Sequence, residues 1–139
     1  MPATVTPRVR NLIVCDRIRA STAEDGVFHL RGARCWLTLD DLSTRRRLHL
    51  FVILSSPRAG RFPGYVRVID SQTDRTVFYG QIEPTPEFPE HADLLPLDLP
   101  ISVRFPRSGI FSIEIWFFQE TSPDVQKMEQ PFYVLQREQ

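Results

Sequence analysis

Apolar residues recur at every second position over long stretches of this 139-residue chain, and clusters of glycine, proline and aspartate separate those stretches. Alternation with period two is typical of β-strands that bury one face, whereas an amphipathic helix needs apolar residues three and four positions apart. The chain also contains 12 prolines, which donate no backbone hydrogen bond and interrupt helices. The pattern predicts an all-β fold, an antiparallel two-sheet sandwich of about eight strands.

The length fits a single domain spanning 1–139, and the first nine residues, which carry two prolines, are predicted to be a flexible N-terminal tail. Apolar residues make up 42% of the chain, as expected for a globular protein rather than a disordered one. The predicted core comprises Leu12, Val14, Leu30, Leu50, Val52, Val66, Val68, Val103, Phe111, Ile113, Ile115 and Val134.

The predicted strands cover 10–19, 27–39 with a β-bulge at Gly32, 48–54, 65–70, 76–82, 101–105, 110–118 and 132–135. Segment 48–54 is apolar on both parities, which favours a central strand covered on both faces. Segments 101–105 and 110–118 flank the turn residues Pro-Arg-Ser-Gly, so they are predicted to form a hairpin. The proline-rich segment 83–100 is predicted to be a long crossover that lies across the domain, with a short edge strand near Leu97.

Two parts of the sequence resemble a family of small uncharacterised bacterial proteins. The first comprises NLIVCD at 11–16 and DGVFHLRG at 25–32. The second comprises VRFPRSGIFSIEI at 103–115 and QPFYV at 130–134, where a Phe-Pro…Gly turn joins two strands. The resemblance spans nearly the whole chain and implies an immunoglobulin-like sandwich and a bacterial origin. It implies no catalytic or binding residue, and a shared fold does not by itself supply a function.

The 17 basic and 17 acidic side chains balance, which argues against nucleic-acid or anionic-membrane partners, since those surfaces need a basic excess. Lys127 is the only lysine, so nearly every basic residue is an arginine. Two explanations are open: codon usage in a GC-rich genome, or selection for bidentate contacts to carboxylate or phosphate. The first ten residues lack the apolar stretch of a secretory signal, which predicts a cytoplasmic protein with Cys15 and Cys35 reduced, buried and inert.

The sequence contains no catalytic, cofactor-binding or metal-binding motif, so we predict a non-enzymatic module without a cofactor. One alternative is a metal-dependent or other enzyme with a loop-built site from His29 or His49 together with Cys35 and Asp40. Another alternative is a carbohydrate-binding module. Its aromatic platform would comprise Trp36, Tyr65, Tyr79 and Trp116.

The last feature is the strand 110–118, whose two faces are both apolar at its C-terminal end. One face carries core residues, and the other ends in Trp116 and Phe118, where a solvated face would carry polar side chains. These two rings are covered either by the proline-rich crossover or by another chain. Because large exposed aromatics are enriched at interfaces, Trp116 and Phe118 predict a surface for a protein partner or for self-association as a homodimer.

Overall fold

The computed structural model describes residues 7–56, 59–90, 94–117 and 127–137, which form twelve strands and no helix. In chain order they are β1 (Arg8–Cys15), β2 (Arg17–Ala20), β3 (Phe28–Arg31), β4 (Trp36–Leu39), β5 (Arg46–Ser55), β6 (Gly60–Arg61), β7 (Gly64–Asp70), β8 (Thr76–Gln81), β9 (Glu87–Phe88), β10 (Leu94–Val103), β11 (Gly109–Phe117) and β12 (Met128–Gln136). The prediction of an all-β fold is confirmed. No helix in these ranges is long and apolar enough to cross a membrane.

Two open sheets carry most of the structure. One has three strands in the order β1-β5-β10, and the other has five in the order β4-β12-β11-β7-β8. Two short ladders, β2-β3 and β6-β9, add to them, which raises the strand number above the predicted eight. The pairing is antiparallel except between β4 and β12, which run parallel, so the fully antiparallel prediction is wrong at this edge. The long stretch of chain between these two strands permits a parallel pair, which a tight turn cannot make.

A single hydrophobic core joins the inner faces of the two larger sheets, giving a sandwich-like arrangement. The alternation of apolar residues in the sequence predicts most of this core correctly. Ten predicted core residues are buried: Val14, Leu50, Val52, Val66, Val68, Val103, Phe111, Ile113, Ile115 and Val134. The other two, Leu12 and Leu30, are only partly buried, because Leu12 lies on the edge strand β1 and Leu30 on the separate β2-β3 hairpin.

The strand β5 is central, as its apolar residues on both parities predict, and it pairs with β1 on one side and β10 on the other. Leu50 and Val52 point into the core. Phe51 points to the opposite face, where the β2-β3 hairpin covers it with Phe28, whose ring centroid is 5.1 Å away. The hairpin therefore acts as a partial second cover on the three-stranded sheet, which explains why this strand is apolar on both faces.

The hairpin predicted at 65–70 and 76–82 is present as β7 and β8. In contrast, the hairpin predicted at 101–105 and 110–118 is wrong, because β10 pairs with β5 whereas β11 pairs with β7 and β12. The turn between β10 and β11 carries the chain from one sheet to the other. Gly109 fits this connection, since its φ of +147° is a conformation that other residues rarely adopt.

The prediction of a long crossover at 83–100 with only a short edge strand near Leu97 is wrong for the second half of the segment. Its second half belongs to β10, a ten-residue strand at the edge of the three-stranded sheet. Pro96 and Pro100 are tolerated there, because an edge strand can turn the positions without N–H groups away from its neighbour. In its first half, Phe88 is buried and packs against Phe62 with ring centroids 6.0 Å apart.

The single strand predicted at 27–39 is divided at Gly32 into β3 and β4, which belong to different sheets. Gly32 has a φ of +66°, and a Cβ atom there would lie 2.2 Å from Oδ2 of Asp16. The carboxylate of Asp16 binds the guanidinium of Arg34 through both oxygens and that of Arg46 at 3.2 Å. A side chain at position 32 would therefore have to displace the Asp16 carboxylate, which Arg34 and Arg46 hold, and this favours glycine. The chain bends at Gly32, where the sequence predicts only a bulge.

Candidate interaction surface

The five-stranded sheet has one face in the core and one face outside it. On β11, Phe111, Ile113 and Ile115 are buried in the core, as the alternation predicts. The outward residues of the same strand include Glu114 and Trp116. Cross-strand register places outward residues of the neighbouring strands beside them, because directly opposed residues share one side of a sheet. We call this side the outer aromatic face.

Large exposed hydrophobic side chains concentrate on this face. The described residues include seven of them, and five lie on the outer aromatic face: Trp36, Tyr79, Ile110, Tyr133 and Leu135. Trp36 is 56% exposed and Tyr79 is 59% exposed, at opposite edge strands of the sheet. Single exposed apolar residues are common on any protein, but a concentration on one sheet face is typical of an interaction site.

One part of the face is a cluster of three rings. Tyr65 stacks on Trp116 with centroids 5.7 Å apart and on Tyr79 with centroids 6.2 Å apart. Tyr79 and Trp116 are also 6.2 Å apart, at a tilt of 45°. The rings come from β7, β8 and β11, so the cluster depends on three strands and holds its shape through the sheet ladder.

Charged groups surround the Trp116 ring. The Arg67 guanidinium carbon lies 5.5 Å from the ring centroid and the Lys127 ammonium nitrogen 5.9 Å from it, both suited to cation–π contacts. Between them, the buried Glu114 carboxylate accepts hydrogen bonds from Arg67 at 2.7 and 3.2 Å, and Lys127 lies 3.9 Å away. Both cations therefore contact the Glu114 carboxylate as well as the Trp116 ring.

The other part of the face is more apolar. Tyr133 on β12 lies directly opposite Ile110 on one side and Trp36 on the other. A groove of about 460 Å³ borders Trp36 and Tyr133 and extends from this face to Ile13 on β1 of the other sheet, and its lining also includes Arg34 and Cys35. The face therefore has an apolar part with a groove and a part rich in rings and charge.

The two residues singled out by the sequence have different outcomes. Trp116 is half-buried, and among the described residues its ring contacts Tyr65, Tyr79, Arg67 and Lys127. Phe118 lies outside the described residues. The proline-rich segment contributes Phe88 to the core instead.

The residues proposed for an enzyme site are not brought together. His49 Nδ1 lies 2.7 Å from Asp98 Oδ1, and Asp40 pairs with Arg137 at 3.3 Å. Within the part of the chain that the structure describes, no group of three histidine, cysteine or acidic side chains is arranged to hold a metal ion.

Both cysteines are free. Cys15 is buried, and its thiol lies 3.6 Å from the carbonyl oxygen of His49. Burial, and secondarily the negative charge of Asp98, raises the pKa of the Cys15 thiol above its ordinary value. Cys35 is exposed, so the prediction that both cysteines are buried is wrong for this one. Cys35 lies in the short segment between β3 and β4, whereas the sequence predicts that it lies within a single strand at 27–39.

The aromatic platform proposed for sugars is assembled in part. Tyr65, Tyr79 and Trp116 form the ring cluster, while Trp36 lies on β4 at the other edge of the sheet. Sequence reasoning missed the contribution of Tyr133 and of the cations Arg67 and Lys127. The alternation placed Tyr133 on the outside of its strand, but only the register shows which residues it lies beside.

No protein-family model matches this chain, and no curated protein matches it either.

Proposed function

We propose that this chain is a non-enzymatic interaction module that binds a protein partner through the outer aromatic face. The observation that carries the proposal is the concentration of exposed large hydrophobic residues there, five of the seven in the described ranges. Tryptophan, tyrosine and arginine are the residues that most often dominate binding energy at protein interfaces, and this face presents all three types.

The arrangement of the face also suits a protein partner. The apolar part around Trp36 and Tyr133 provides the area that a partner would desolvate, and its groove of about 460 Å³ can accept a side chain. The charged groups Arg67, Lys127 and Glu114 lie on the same face and are paired with each other. The apolar part lies towards the β4 edge and the paired Arg67 and Glu114 lie on the inner strands β7 and β11, so a partner would contact apolar surface and hydrogen-bonding groups side by side.

A sugar ligand is supported less well by the same residues. Sugars stack on free aromatic faces, but here the rings of Tyr65 and Trp116 stack on each other. The Trp116 ring also faces Arg67 and Lys127. Tyr79 alone keeps a large exposed surface among these three rings, which makes a small platform for a glycan.

The proposal includes the immunoglobulin-like form of the sandwich and the cytoplasmic location predicted from the sequence. The packing of a five-stranded sheet on a three-stranded one, with a connection that crosses between them after β10, supports an immunoglobulin-like sandwich. The balanced net charge supports a protein partner rather than nucleic acid or an anionic membrane. The partner is then either a second copy of this chain or a different protein.

Charge substitution on the outer aromatic face tests the proposal. Trp36→Glu and Tyr133→Glu each place a carboxylate in the apolar part of the face. Leu94→Glu is the matched control, because Leu94 is 58% exposed, close to the 56% of Trp36, but lies on β10 of the other sheet. The oligomeric state is measured by sedimentation velocity, and retained proteins are identified by quantitative mass spectrometry with each variant as bait.

The expected result is a homodimer, or one specifically retained protein, that persists with Leu94→Glu and is lost with Trp36→Glu and Tyr133→Glu. Circular dichroism should show that all variants remain folded, since the changed side chains are exposed. A wild-type monomer that retains no protein, or retention that is equal for all four chains, contradicts the proposal.

A further inference from the structure

The β2-β3 hairpin carries a basic face. Arg17 lies directly opposite Arg31, and Arg19 lies directly opposite His29. All four side chains are exposed, while the alternate residues Ile18 and Leu30 are partly buried on the other side of the hairpin. Three guanidinium groups and an imidazole therefore project from one side of eight residues of paired strand.

These groups lack acidic partners in the ranges that the structure describes. None of the ion pairs there includes Arg17, Arg19, His29 or Arg31. The nearest carboxylate along the chain, Asp16, has both oxygens engaged by Arg34 and Arg46. Like charges directly opposite each other destabilise a strand pair, so the hairpin holds a repulsion that an anion would relieve.

The spacing of the basic face suits one anionic ligand that touches several side chains. Directly opposed residues in an antiparallel pair have Cβ atoms about 4.5–5.5 Å apart, and diagonal neighbours about 7–8 Å, within reach of long arginine side chains. A recess of about 330 Å³ lies among the four side chains and is lined further by Leu30. Its volume is sufficient for a small ligand with more than one anionic group.

The hairpin is held in place from its other side. Phe28 packs on Phe51 of β5, with centroids 5.1 Å apart, so the basic face has a fixed support. Arginine presents a planar fork of donors that matches phosphate oxygens two at a time. The whole chain has no net charge, and the three arginines make a local excess of positive charge on this hairpin.

We infer that the basic face of the β2-β3 hairpin binds a small ligand that carries two or more phosphate groups, through Arg17, Arg19 and Arg31. This site lies on a different part of the fold from the outer aromatic face and does not depend on the proposed function. The shared chemistry is a phosphate chain, which either a nucleotide or an inorganic polyphosphate supplies.

Calorimetric titration of the full chain with tripolyphosphate, ATP and inorganic phosphate tests the inference. Tripolyphosphate should bind at least tenfold more tightly than inorganic phosphate, because more guanidinium groups contact it. Equal affinity for ATP and tripolyphosphate indicates that the phosphate chain alone is recognised, and tighter binding of ATP indicates a nucleotide site. Added salt should weaken binding in every case, since the contacts are between charges.

The test variant is Arg17→Gln combined with Arg31→Gln, which removes one opposed pair. The matched control is Arg45→Gln combined with Arg47→Gln, which removes two exposed arginines that form no ion pair in the described ranges. The test variant should lose at least tenfold in affinity for tripolyphosphate. It should be at least as heat-stable as wild type, because it relieves the repulsion between the opposed arginines. The affinity of the control should stay within twofold of wild type.

Three results overturn the inference. They are no binding of tripolyphosphate to the wild-type chain, an equal loss of affinity in both double variants, and equally tight binding of an oligoglutamate peptide of matched charge. The last result assigns the basic face to acidic polypeptides instead.

Discussion

The carboxylate of Asp70, at the end of β7, binds the guanidinium of Arg107, in the turn between β10 and β11, through both of its oxygens. Nε of Arg107 donates to Oδ2 at 2.8 Å, and Nη2 donates to Oδ1. The backbone N–H of Gln72 donates to the same carboxylate at 3.0 Å. The turn that contains Arg107 carries the chain from the three-stranded sheet to the five-stranded one. The buried carboxylate of Asp70 therefore connects this turn to the β7-β8 hairpin.

This contact predicts an acid-sensitive part of the stability. The hydrogen bonds from Arg107, and secondarily that from Gln72, lower the pKa of Asp70 to about 2 from its ordinary value of 3.8. A lowered pKa means that the contribution to stability is complete above pH 3.8 and is lost as the pH falls through about 2. Urea unfolding between pH 5 and pH 2 measures it, because the midpoint should fall over that range.

Asp70→Asn provides the comparison. This variant should be less stable than wild type at neutral pH and should lose less stability as the pH falls, since it lacks the titrating group. Asp74→Asn, in the same turn, is the control, because the side chain of Asp74 is exposed and pairs with no arginine in the described ranges. Parallel pH profiles for wild type and Asp70→Asn would contradict the assignment.

A second prediction separates backbone strain from crowding at two glycines. Gly32 and Gly26 both have positive φ, +66° and +79°, but a Cβ at Gly26 meets nothing within 4 Å. Gly26→Ala should therefore lower the free energy of unfolding by about 1–2 kcal/mol, the cost of the left-handed conformation alone. Gly32→Ala should cost about 1–2 kcal/mol more, because its Cβ would displace the Asp16 carboxylate from Arg34. Equal losses in chemical denaturation would show that the ion cluster does not constrain this turn.

A third prediction concerns the core of the five-stranded sheet. Ile113 is fully buried at the centre of β11, so Ile113→Ala should lower the free energy of unfolding by about 2–5 kcal/mol. Ile110 lies on the same strand but is exposed, so Ile110→Ala should change the free energy of unfolding by no more than about 0.5 kcal/mol. Denaturant titration of both variants checks the difference, and a small loss for Ile113→Ala would place that residue outside the core.

The faces of the strands were predictable from the sequence, but their partners were not. Alternation reports which side chains are buried, and it assigned Ile113, Ile115 and Val134 correctly because burial dominates those positions. The choice of neighbour is a tertiary property. The turn before β11 has the residues of a hairpin, yet Arg107 binds Asp70 and the chain continues into the other sheet. The parallel β4-β12 pair joins distant segments and leaves no local signal.

The candidate surface was predictable to a similar extent. The sequence singles out Trp116 because a large ring stands where the alternation predicts a polar, outward-facing residue. The sequence groups Tyr65 and Tyr79 with Trp116 only as a sugar platform, and the alternation places Tyr133 on the outside of its strand without showing its neighbours. Their proximity depends on strand register, which a one-residue slip would reverse.

A fourth prediction uses the different environments of the cysteines. A maleimide should modify exposed Cys35 on the order of a hundredfold faster than Cys15, whose thiol is buried and has a raised pKa. Mass spectrometry of tryptic peptides over time measures both rates in one sample. Cys35→Ser should abolish the fast phase and leave the slow one. In urea the two rates should converge, and equal rates without urea would contradict the burial of Cys15.

A final prediction distinguishes the two tryptophans and reports on the outer aromatic face. Trp36 is exposed on the edge strand β4, whereas Trp116 is half-buried between Tyr65 and the two cations. Trp116→Phe leaves Trp36 as the only tryptophan, which should emit at long wavelength and be quenched readily by acrylamide. Trp36→Phe leaves Trp116, which should be quenched less, because its neighbours limit access to the ring.

Acrylamide is the suitable quencher, since a charged quencher such as iodide would be drawn to Arg67 and Lys127 beside Trp116. If the apolar part of the face binds a protein, emission from Trp36 should shift to shorter wavelength, and its quenching should fall, as the complex forms. The same measurement on Leu94→Glu should give the same shift, because that residue lies on the other sheet. Emission from Trp36 that stays unchanged in a complex shown by sedimentation would place the partner elsewhere on the fold.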